Sequence, residues 1–392
     1  MRLIVATSAY PTHADESINA GVFVRDLVAE LMRQGDSVHV LTPDKGEVIT
    51  GSPAPVHTFR WGGSERVLTR LNPRRPGDLL RLSRIMIQGG VVLRRLIAQT
   101  QVDAVLAMWA VPAGYWASGQ RRPYAVWVLG SDIWSMSRYP LGKTLVRRVL
   151  QRAGHIFSDG LQLAEDARRI AGRSCEFLPS CRRLPVAATL PARLPEDRIH
   201  FVFIGRWDRV KGIDLLLDAM EIVAQHMPHV HLHIFGAGPL AAAIQRRVER
   251  RDLQRCVTLN GPADPMTTVA YLKACDALVI PSRIESIPVI YSDALQCGCP
   301  VVSTNVGDLG RLIREQGTGL VCLPEDPADL AQAMHTMARE GRRSREQYAS
   351  ALSAAAGAFS TARSAERCRD VLAGLAGVAR AGRIAEGPKD KV

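Results

Sequence analysis

The stretch ALVIPSRIESIPVIYSDALQCGCPVVST, residues 277–304, decides the fold of the second half of the chain. It begins with a short apolar run typical of a buried parallel strand, and Val289–Cys297 then has the apolar spacing of a helix. Gly298 suits the end of that helix, and Pro300 stops it before the next apolar run. The stretch therefore predicts a strand, a polar turn, a helix and a second strand.

Two carboxylates lie in this stretch. Glu285 precedes the predicted helix, and Asp293 follows eight residues later, about two helical turns further on. In an open α/β sheet, ligands bind beyond the carboxyl ends of the strands, so Glu285 is expected at the mouth of a ligand crevice. Such carboxylates suit a polyhydroxylated ligand, because they accept hydrogen bonds from hydroxyl groups. The alternative is that Glu285 only complements the helix dipole and Asp293 is solvated.

The composition is that of a globular protein of two or three domains. The chain has 392 residues, of which 47% are hydrophobic and 22% charged. Its eight cysteines include no C-x-x-C pair, which favours reduced thiols and predicts no metal site. The apolar run at the N-terminus is too short for a secretion signal, and no uninterrupted apolar stretch reaches the length of a membrane span. We therefore expect a cytoplasmic protein that does not span a membrane.

The net charge of +12 predicts attraction to anions. Nucleic acid is the least favoured partner, since the chain shows no nucleic-acid-binding motif and only 5% aromatic residues as stacking platforms. The partners that remain are an anionic membrane surface and a phosphorylated ligand.

Arginines are concentrated between Arg60 and Arg95, where only Glu65 and Asp78 are acidic; they are residues 60, 66, 70, 74, 75, 81, 84, 94 and 95. Pro53–Arg75 is expected to be irregular, and Asp78–Gln101 to be a helix interrupted at Gly89-Gly90, with Leu79 on its apolar face. This segment predicts contact with anionic lipid, at about 1 kcal/mol per basic residue near the surface. The alternative is a helix whose basic face is simply solvated.

Strands and helices alternate in both halves of the chain. A first strand, Arg2–Ser8, is followed by a helix, Val22–Gln34, and a strand, SVHVLTP. The pattern predicts two doubly wound, Rossmann-like α/β domains facing each other across a cleft. The expected division is a first domain at 1–184, a linker at 185–198, a second domain at 199–376 and a disordered tail at 377–392.

The strand-to-helix segment GRWDRVKG, residues 205–212, carries two cations at the same predicted sheet edge as Glu285. Arg206 can bridge phosphate oxygens in a fork, and Lys211 adds a point charge, so the pair suits a diphosphate. The chain contains no Asp-x-Asp, so a metal-bound diphosphate is not predicted and the two cations would neutralise it instead.

FGAGPLAA, residues 235–242, contains Gly236 in a G-x-G-x-x-A pattern that invites a dinucleotide interpretation. A nicotinamide site also needs an acid about 20 residues further on, and none occurs there. An NAD-dependent oxidoreductase is therefore an alternative, as is a non-catalytic basic protein that binds membranes. His229, His231 and His233 alternate along one strand face, but no further residue is evident to close a metal site.

Six segments in order resemble the retaining, nucleotide-sugar-dependent glycosyltransferases of family 4, also called group 1. They are the Gly21 loop with the following AELMRQGDSVHVLTP, then DAVLAMWAVPAG, GSD at 130–132, GRWDRVKG, FGAGP, and the opening stretch, which matches an E-x7-E block with Asp293 as its second acid. This resemblance covers most of the chain and implies the GT-B architecture of two Rossmann-like domains.

The resemblance also implies roles for matching positions. Arg206 and Lys211 would bind the diphosphate and stabilise its charge, and Glu285 would lie near the transferred sugar. The other implied contacts to the sugar donor are Gly21, Gly205, Gly236, Ser286, Ile287, Pro288, Val289 and, at the ribose, Asp293. The implied acceptor side consists of Trp109, Gly130, Ser131 and Asp132, with Asp132 also counted as catalytic.

The implied reaction transfers a sugar from a nucleotide-diphosphate donor with retention of configuration. It needs no cofactor and no metal. The implied acceptor is a saccharide or a lipid-linked molecule, as in envelope polysaccharide or glycolipid synthesis at the inner face of a membrane.

Overall fold

A computed structural model of the chain describes residues 1–11, 21–45, 51–63, 71, 75–186, 194–250, 252–341 and 343–385. The chain forms two compact units. Unit 1 comprises Met1–Pro179 and Thr361–Val392, and unit 2 comprises Ser180–Ser360. In the described ranges, no helix is long and apolar enough to cross a membrane.

The elements before residue 180 alternate as expected. The strands are β1 (Arg2–Ala6), β2 (Ser37–Pro43), β3 (Val56–Phe59), β4 (Ala104–Met108), β5 (Tyr124–Val128), β6 (His155–Ser158) and β7 (Glu176–Phe177). The helices are α1 (Val22–Arg33), α2 (Pro76–Thr100), α3 (Tyr115–Ser118), α4 (Ser131–Trp134), α5 (Pro140–Arg152) and α6 (Leu161–Ala171).

The elements after residue 180 follow the same pattern. The strands are β8 (Ile199–Ile204), β9 (Val230–Phe235), β10 (Val257–Leu259), β11 (Ala277–Ile280), β12 (Val301–Thr304) and β13 (Gly319–Cys322). The helices are α7 (Ile213–His226), α8 (Ala241–Arg250), α9 (Pro265–Ala274), α10 (Val289–Gln296), α11 (Leu309–Gln316), α12 (Pro327–Glu340), α13 (Arg343–Ala358) and α14 (Thr361–Ala385), the last of which belongs to unit 1.

Unit 1 is built on a seven-stranded parallel sheet in the order β3-β2-β1-β4-β5-β6-β7. Its strands are apolar on both faces because helices cover both faces. Ile4 and Ala6 of β1 belong to a core shared with α2, α3, α5 and α6. Leu3 and Val5 face the opposite core, which α1 and α14 complete.

Unit 2 is built on a six-stranded parallel sheet in the order β10-β9-β8-β11-β12-β13. Leu278 in the central strand β11 is aligned with Val202 of β8 on one side and Val301 of β12 on the other. A core on one face joins β8, β9 and β11 to α7, α8 and α12. The strand–turn–helix–strand expected for residues 277–304 is therefore β11, a turn, α10 and β12.

The structure differs from the sequence expectation in three elements. Helix α2 runs through Gly89 without interruption, and Gly89 faces the Trp116 ring, where a Cβ would lie only 2.2 Å from Cε2. Strand β3 lies within the stretch expected to be irregular. Helix α14 continues to Ala385 and so occupies much of the tail expected at 377–392; residues 386–392 lie outside the described ranges.

The division into units also differs from the predicted domains. The chain passes into unit 2 after Pro179, not after residue 184, and the segment from Thr361 onward groups with unit 1 instead of completing the second domain. Its helix α14 supplies Ala365, Cys368 and Leu372 to a core of unit 1. Of the linker expected at 185–198, residues 187–193 lie outside the described ranges, as do Arg66, Arg70 and Arg74 of the arginine-rich segment.

Candidate functional site

Three loops of unit 2 meet at one edge of its sheet. They are residues 205–212 after β8, 236–240 after β9 and 281–288 after β11. Because all strands of this sheet are parallel, these loops leave from their carboxyl ends, where ligands bind in open α/β sheets. The predicted cations, carboxylate and glycines of the second domain all lie in these loops.

Lys211 and Glu285 form an ion pair between the first and the third loop, with Lys211 Nζ bonded to Glu285 Oε1. The Ser282 hydroxyl donates a second hydrogen bond to the same carboxylate oxygen, at 3.0 Å. Both charged side chains are partly exposed, at 24% for Lys211 and 11% for Glu285. The two residues predicted for the diphosphate and the sugar are therefore adjacent and open to solvent.

Arg206 lies in the same loop as Lys211, and its side chain is 62% exposed. It forms an ion pair of 3.1 Å with Asp208, whose other carboxylate oxygen accepts a hydrogen bond from the Lys211 backbone N–H at 3.0 Å. Asp208 thus organises both cations of the loop. Sequence reasoning missed this residue, although an acid between two cations of one loop was a usable signal.

Glycines bring the loops into close contact. Gly212 has φ +67°, and a Cβ there would lie 1.8 Å from the carbonyl oxygen of Pro281, so the Lys211 loop rests on the Glu285 loop. Gly236 has φ +143°, and a Cβ there would lie 1.9 Å from the carbonyl oxygen of Gly205. The two predicted glycines Gly205 and Gly236 therefore touch through their backbones.

Two buried polar atoms in these loops have no hydrogen-bond partner among the described residues. One is the hydroxyl of Ser286, a predicted site residue, and the other is the indole Nε1 of Trp207. The indole nitrogen lies next to Gly236, since a Cβ at that glycine would be 2.8 Å from it. Buried polar groups are normally hydrogen-bonded, so a polar ligand that reaches these two atoms would supply the hydrogen bonds they lack. Sequence reasoning did not identify Trp207.

The remaining predicted residues of the third loop lead into α10. Ile287 and Pro288 are buried, and Pro288 has extended backbone geometry immediately before Val289, the first residue of the helix. A proline at this boundary removes no intrahelical hydrogen bond, because first-turn N–H groups have no partner within the helix.

Asp293 lies on α10 and is buried, so the alternative that it is a solvated residue is wrong. Its side chain has no exposed surface, and Oδ2 accepts a hydrogen bond from Arg182 Nε at 2.7 Å and another from Arg182 Nη2. The Arg182 side chain is itself only 4% exposed. The aspartate side chain is one methylene shorter than glutamate, and here it reaches the buried guanidinium of Arg182. Its contact with a ribose stays a prediction. Arg182, missed by sequence reasoning, is 111 residues away in the chain.

Unit 1 holds the predicted acceptor-side residues and Gly21. Gly21 has φ +71° and packs against the backbone of Ala9. Trp109 also has a positive φ, and its ring packs edge-on against the Phe23 ring, with 6.2 Å between the ring centroids. Gly130 has φ +98°, and Ser131 is the first residue of α4.

Asp132 lies in α4, immediately after Ser131. It is buried, and its carboxylate accepts hydrogen bonds from the backbone N–H groups of Ala110 at 2.6 Å, Ile133 at 3.1 Å and Leu129 at 3.3 Å. Burial raises the pKa of this carboxyl to about 6, although the N–H groups oppose the shift. The carboxylate therefore joins the loops after β4 and β5. Its role toward an acceptor stays a prediction.

Both halves of the chain match known family profiles. Residues 20–179 match the glycosyl transferase 4-like domain, and residues 198–340 match glycosyl transferases group 1. The chain is 32% identical over 165 residues to a D-inositol 3-phosphate glycosyltransferase of Paenarthrobacter aurescens, an alignment covering 41% of this chain and 40% of the relative. It is 28% identical over 155 residues to a glycogen synthase of Mycobacterium tuberculosis, covering 40% of this chain and 37% of that protein. These alignments span less than half of either relative.

Solved structures extend the likeness to the whole fold. Sucrose-phosphate synthase from Thermosynechococcus elongatus superposes with a TM-score of 0.77 at 19% identity, covering 96% of this chain and 100% of that one. HepE of Anabaena, in complex with UDP and glucose, superposes with a TM-score of 0.69 at 16% identity, covering 95% and 100%. With two parallel Rossmann-like sheets and both family profiles matched in order, the chain belongs to the group 1, or family 4, glycosyltransferases and has their GT-B fold.

Proposed function

We propose that the protein transfers a sugar from a nucleotide-diphosphate donor to a saccharide or lipid-linked acceptor, with retention of configuration and without a divalent metal. The observation that carries this proposal is the pairing of Lys211 with Glu285, beside the exposed Arg206, at the carboxyl edge of the unit 2 sheet. Envelope polysaccharide or glycolipid synthesis is the corresponding pathway class.

In this proposal Lys211 and Arg206 neutralise the diphosphate. Lys211 exchanges Glu285 for a phosphate oxygen when the sugar donor binds, and Arg206 swings from Asp208 to form a fork with two phosphate oxygens. The Trp207 indole N–H beside Gly236 supplies a further hydrogen bond to the same ligand. Charge that develops on the leaving diphosphate is then stabilised by groups already in place.

Glu285 contacts the transferred sugar. Once Lys211 turns to the diphosphate, the Ser282 hydroxyl still holds the Glu285 carboxylate, which accepts hydrogen bonds from sugar hydroxyl groups. The neighbouring Ser286 hydroxyl and the backbone at Ile287 bind sugar or phosphate oxygens. Asp293 is left out of this set because it is buried against Arg182.

The chemical step is a front-side displacement. The bond between the anomeric carbon and the diphosphate oxygen breaks, and a bond to the acceptor oxygen forms on the same face of the sugar. The acceptor's proton passes to an oxygen of the departing diphosphate, so no separate protein base is required. The products are the glycosylated acceptor and a nucleoside diphosphate.

A cytoplasmic location suits the eight cysteines, all of which are free thiols in the structure. Thiols persist unpaired in reducing compartments.

The test is a thermal-shift screen with UDP-, GDP- and ADP-sugars, beginning with UDP-glucose because HepE was solved in complex with it. A ligand at 100 times its Kd stabilises the folded protein by about 2.7 kcal/mol, which is readily detected. Binders are then incubated with candidate acceptors in the presence of EDTA, and the anomeric configuration of the product is determined by NMR. Retention without added metal is expected. Absence of a shift with every sugar nucleotide, or inversion in the product, would refute the proposal.

A further inference from the structure

Helix α2 carries apolar side chains on the face directed away from the core. Leu80 is 53% exposed, Ile87 62% and Val91 40%, and the spacing of seven and four residues places them in one stripe along the helix. The opposite face packs Ile85, Leu93 and Leu96 into the core of unit 1. Leu79, expected on the buried face, is 51% exposed. The helix is therefore apolar on two sides, and the described residues of unit 1 cover only one of them.

Cations border the exposed stripe. Arg84 and Arg95 lie along one side of it and Arg94 along the other, and all three are exposed. The acid of this helix, Asp78, is buried and paired with Arg81 at 3.0 Å. The outward face of α2 thus combines apolar and positively charged side chains with no acid among them.

Helix α5 presents the same chemistry on the same side of the sheet. Its buried residues Val146, Val149 and Leu150 join the core that holds α2, and α3 lies in contact with both helices. Helices on one face of a sheet direct their outer faces the same way. The outward residues of α5 and the turn before it are Tyr139, Leu141, Lys143, Arg147, Arg148 and Arg152, and α5 contains no acid. Leu141 is 86% exposed and Tyr139 60%.

We propose that the outward faces of α2 and α5, the α2–α5 surface, dock on an anionic lipid bilayer. Leu80, Ile87 and Val91 enter the boundary between head groups and acyl chains, and the arginines bind lipid phosphates. The sequence predicted lipid contact from the arginine-rich segment alone. The α2–α5 surface adds the cations of a second helix and an apolar stripe.

Other occupants fit less well. A second copy of this chain would bring like charges together, which opposes association. A nucleic acid would pair with the cations but would not cover the apolar stripe, because nucleic-acid binding relies on charge and aromatic stacking. The proposal does not rest on the sugar-transfer reaction, since it is tested without any sugar nucleotide.

The test is co-sedimentation of the full chain with vesicles of pure phosphatidylcholine or of phosphatidylcholine with 30% phosphatidylglycerol, a composition taken as roughly that of an anionic leaflet. Two double variants address the surface: Ile87→Glu with Val91→Glu, and Arg84→Glu with Arg95→Glu. Their controls are Val378→Glu, at a still more exposed apolar residue of α14, and Arg246→Glu with Arg250→Glu on α8 of unit 2. Circular dichroism and thermal melting establish that each variant is folded.

We expect binding to the anionic vesicles only, weakened by at least about tenfold in each surface variant and by less than about twofold in the controls. Equal loss in the Arg246/Arg250 control would mean that net charge alone drives binding and would overturn the proposal. So would unchanged binding of the Ile87/Val91 variant. A dimer in sedimentation velocity that the surface variants dissociate would assign the face to a second copy, and duplex DNA binding without vesicle binding would assign it to nucleic acid.

Discussion

Arg182 and Asp293 form a buried ion pair in unit 2, with Arg182 Nε 2.7 Å from Asp293 Oδ2. Arg182 follows closely after Ser180, where unit 2 begins, and Asp293 lies in the middle of α10. Gln296, also on α10, donates a hydrogen bond to the Arg182 carbonyl oxygen at 3.4 Å. The helix that follows the Glu285 loop is thus held by the first segment of its unit.

Arg182→Met should destabilise unit 2 by about 3–5 kcal/mol, because it removes the counter-charge from a buried carboxylate. The double variant Arg182→Met with Asp293→Leu should recover most of this loss, since apolar side chains of similar volume can replace a buried ion pair. Chemical denaturation followed by circular dichroism measures both effects.

The control for this pair is Arg255→Ala, which breaks an exposed ion pair with Asp252 and should change stability little. A single variant as stable as the wild type, or a double variant no better than the single one, would contradict the structural role assigned to the pair.

Lys211→Ala should lower kcat/KM for sugar transfer by about 10²–10³, because it removes a preformed cation from the developing charge of the leaving group. Glu285→Gln should also lower the rate, since Glu285 is assigned to the sugar, while the nucleoside diphosphate should bind at least as tightly, because the carboxylate no longer competes with phosphate for Lys211. Arg246→Ala, an exposed cation of α8, is the matched control and should retain full activity. Steady-state kinetics with nucleoside diphosphate as a competing ligand separates these outcomes. Full activity of Lys211→Ala would exclude its role.

Gly212→Ala and Gly298→Ala form a matched pair, because both glycines have φ above +60°. At Gly298 no atom lies within 4 Å of a built Cβ, so the substitution should cost about 1–2 kcal/mol from the backbone conformation alone. At Gly212 the Cβ would clash with the Pro281 carbonyl oxygen. This clash would push the Lys211 and Glu285 loops apart. We therefore expect a larger loss of stability and weaker binding of the nucleoside diphosphate only in Gly212→Ala, measured by denaturation and calorimetry. Equal effects of the two variants would argue against this contact.

Asp132 should make stability depend on pH. Its folded-state pKa of about 6 lies above the ordinary value of 3.8, so the folded protein binds the proton more tightly. The resulting stabilisation is present at low pH and is lost as the pH rises from about 4 through 6, by up to about 3 kcal/mol.

Asp132→Asn removes this titration, although it lowers stability at every pH because the amide has a single carbonyl oxygen for the surrounding N–H groups. The difference in free energy of unfolding between wild type and variant should therefore shrink as the pH rises from 4 to 7. A difference that is constant or grows would show that Asp132 is ionised throughout.

Sequence reasoning located most of the fold because strands and helices here have clear periodicity. The boundaries of strand β2 were correct to the residue, and those of helix α10 differed by one residue. Strand β3 was missed because VHTF at the edge of the sheet is neither strongly apolar nor strictly alternating. Helix α14 was assigned in part to a tail because the last residues of the chain, AEGPKDKV, have the polar composition typical of a disordered tail.

The site was predictable where it lies within one loop and less so where distant segments meet. Arg206 and Lys211 share a strand-to-helix loop with a recognisable charge pattern. The partners of Asp293 and Asp132 depend on tertiary contacts, and nothing in local spacing indicates that Arg182 would reach α10 or that the Ala110 N–H would point at Asp132. A carboxylate in a motif can face a ligand or the protein interior, and only the packing decides between them.

Helix α14 joins unit 1 although about half of the chain separates it from Pro179. A ribosome therefore releases the sheet of unit 1 long before α14, which packs on β4 and β5 beside α1, has been made. During synthesis the part of the apolar sheet face that α14 covers stays open while the whole of unit 2 emerges and can fold. Unit 2 is contiguous in sequence and unit 1 is not, so the order in which the two units mature is the reverse of the order in which they begin.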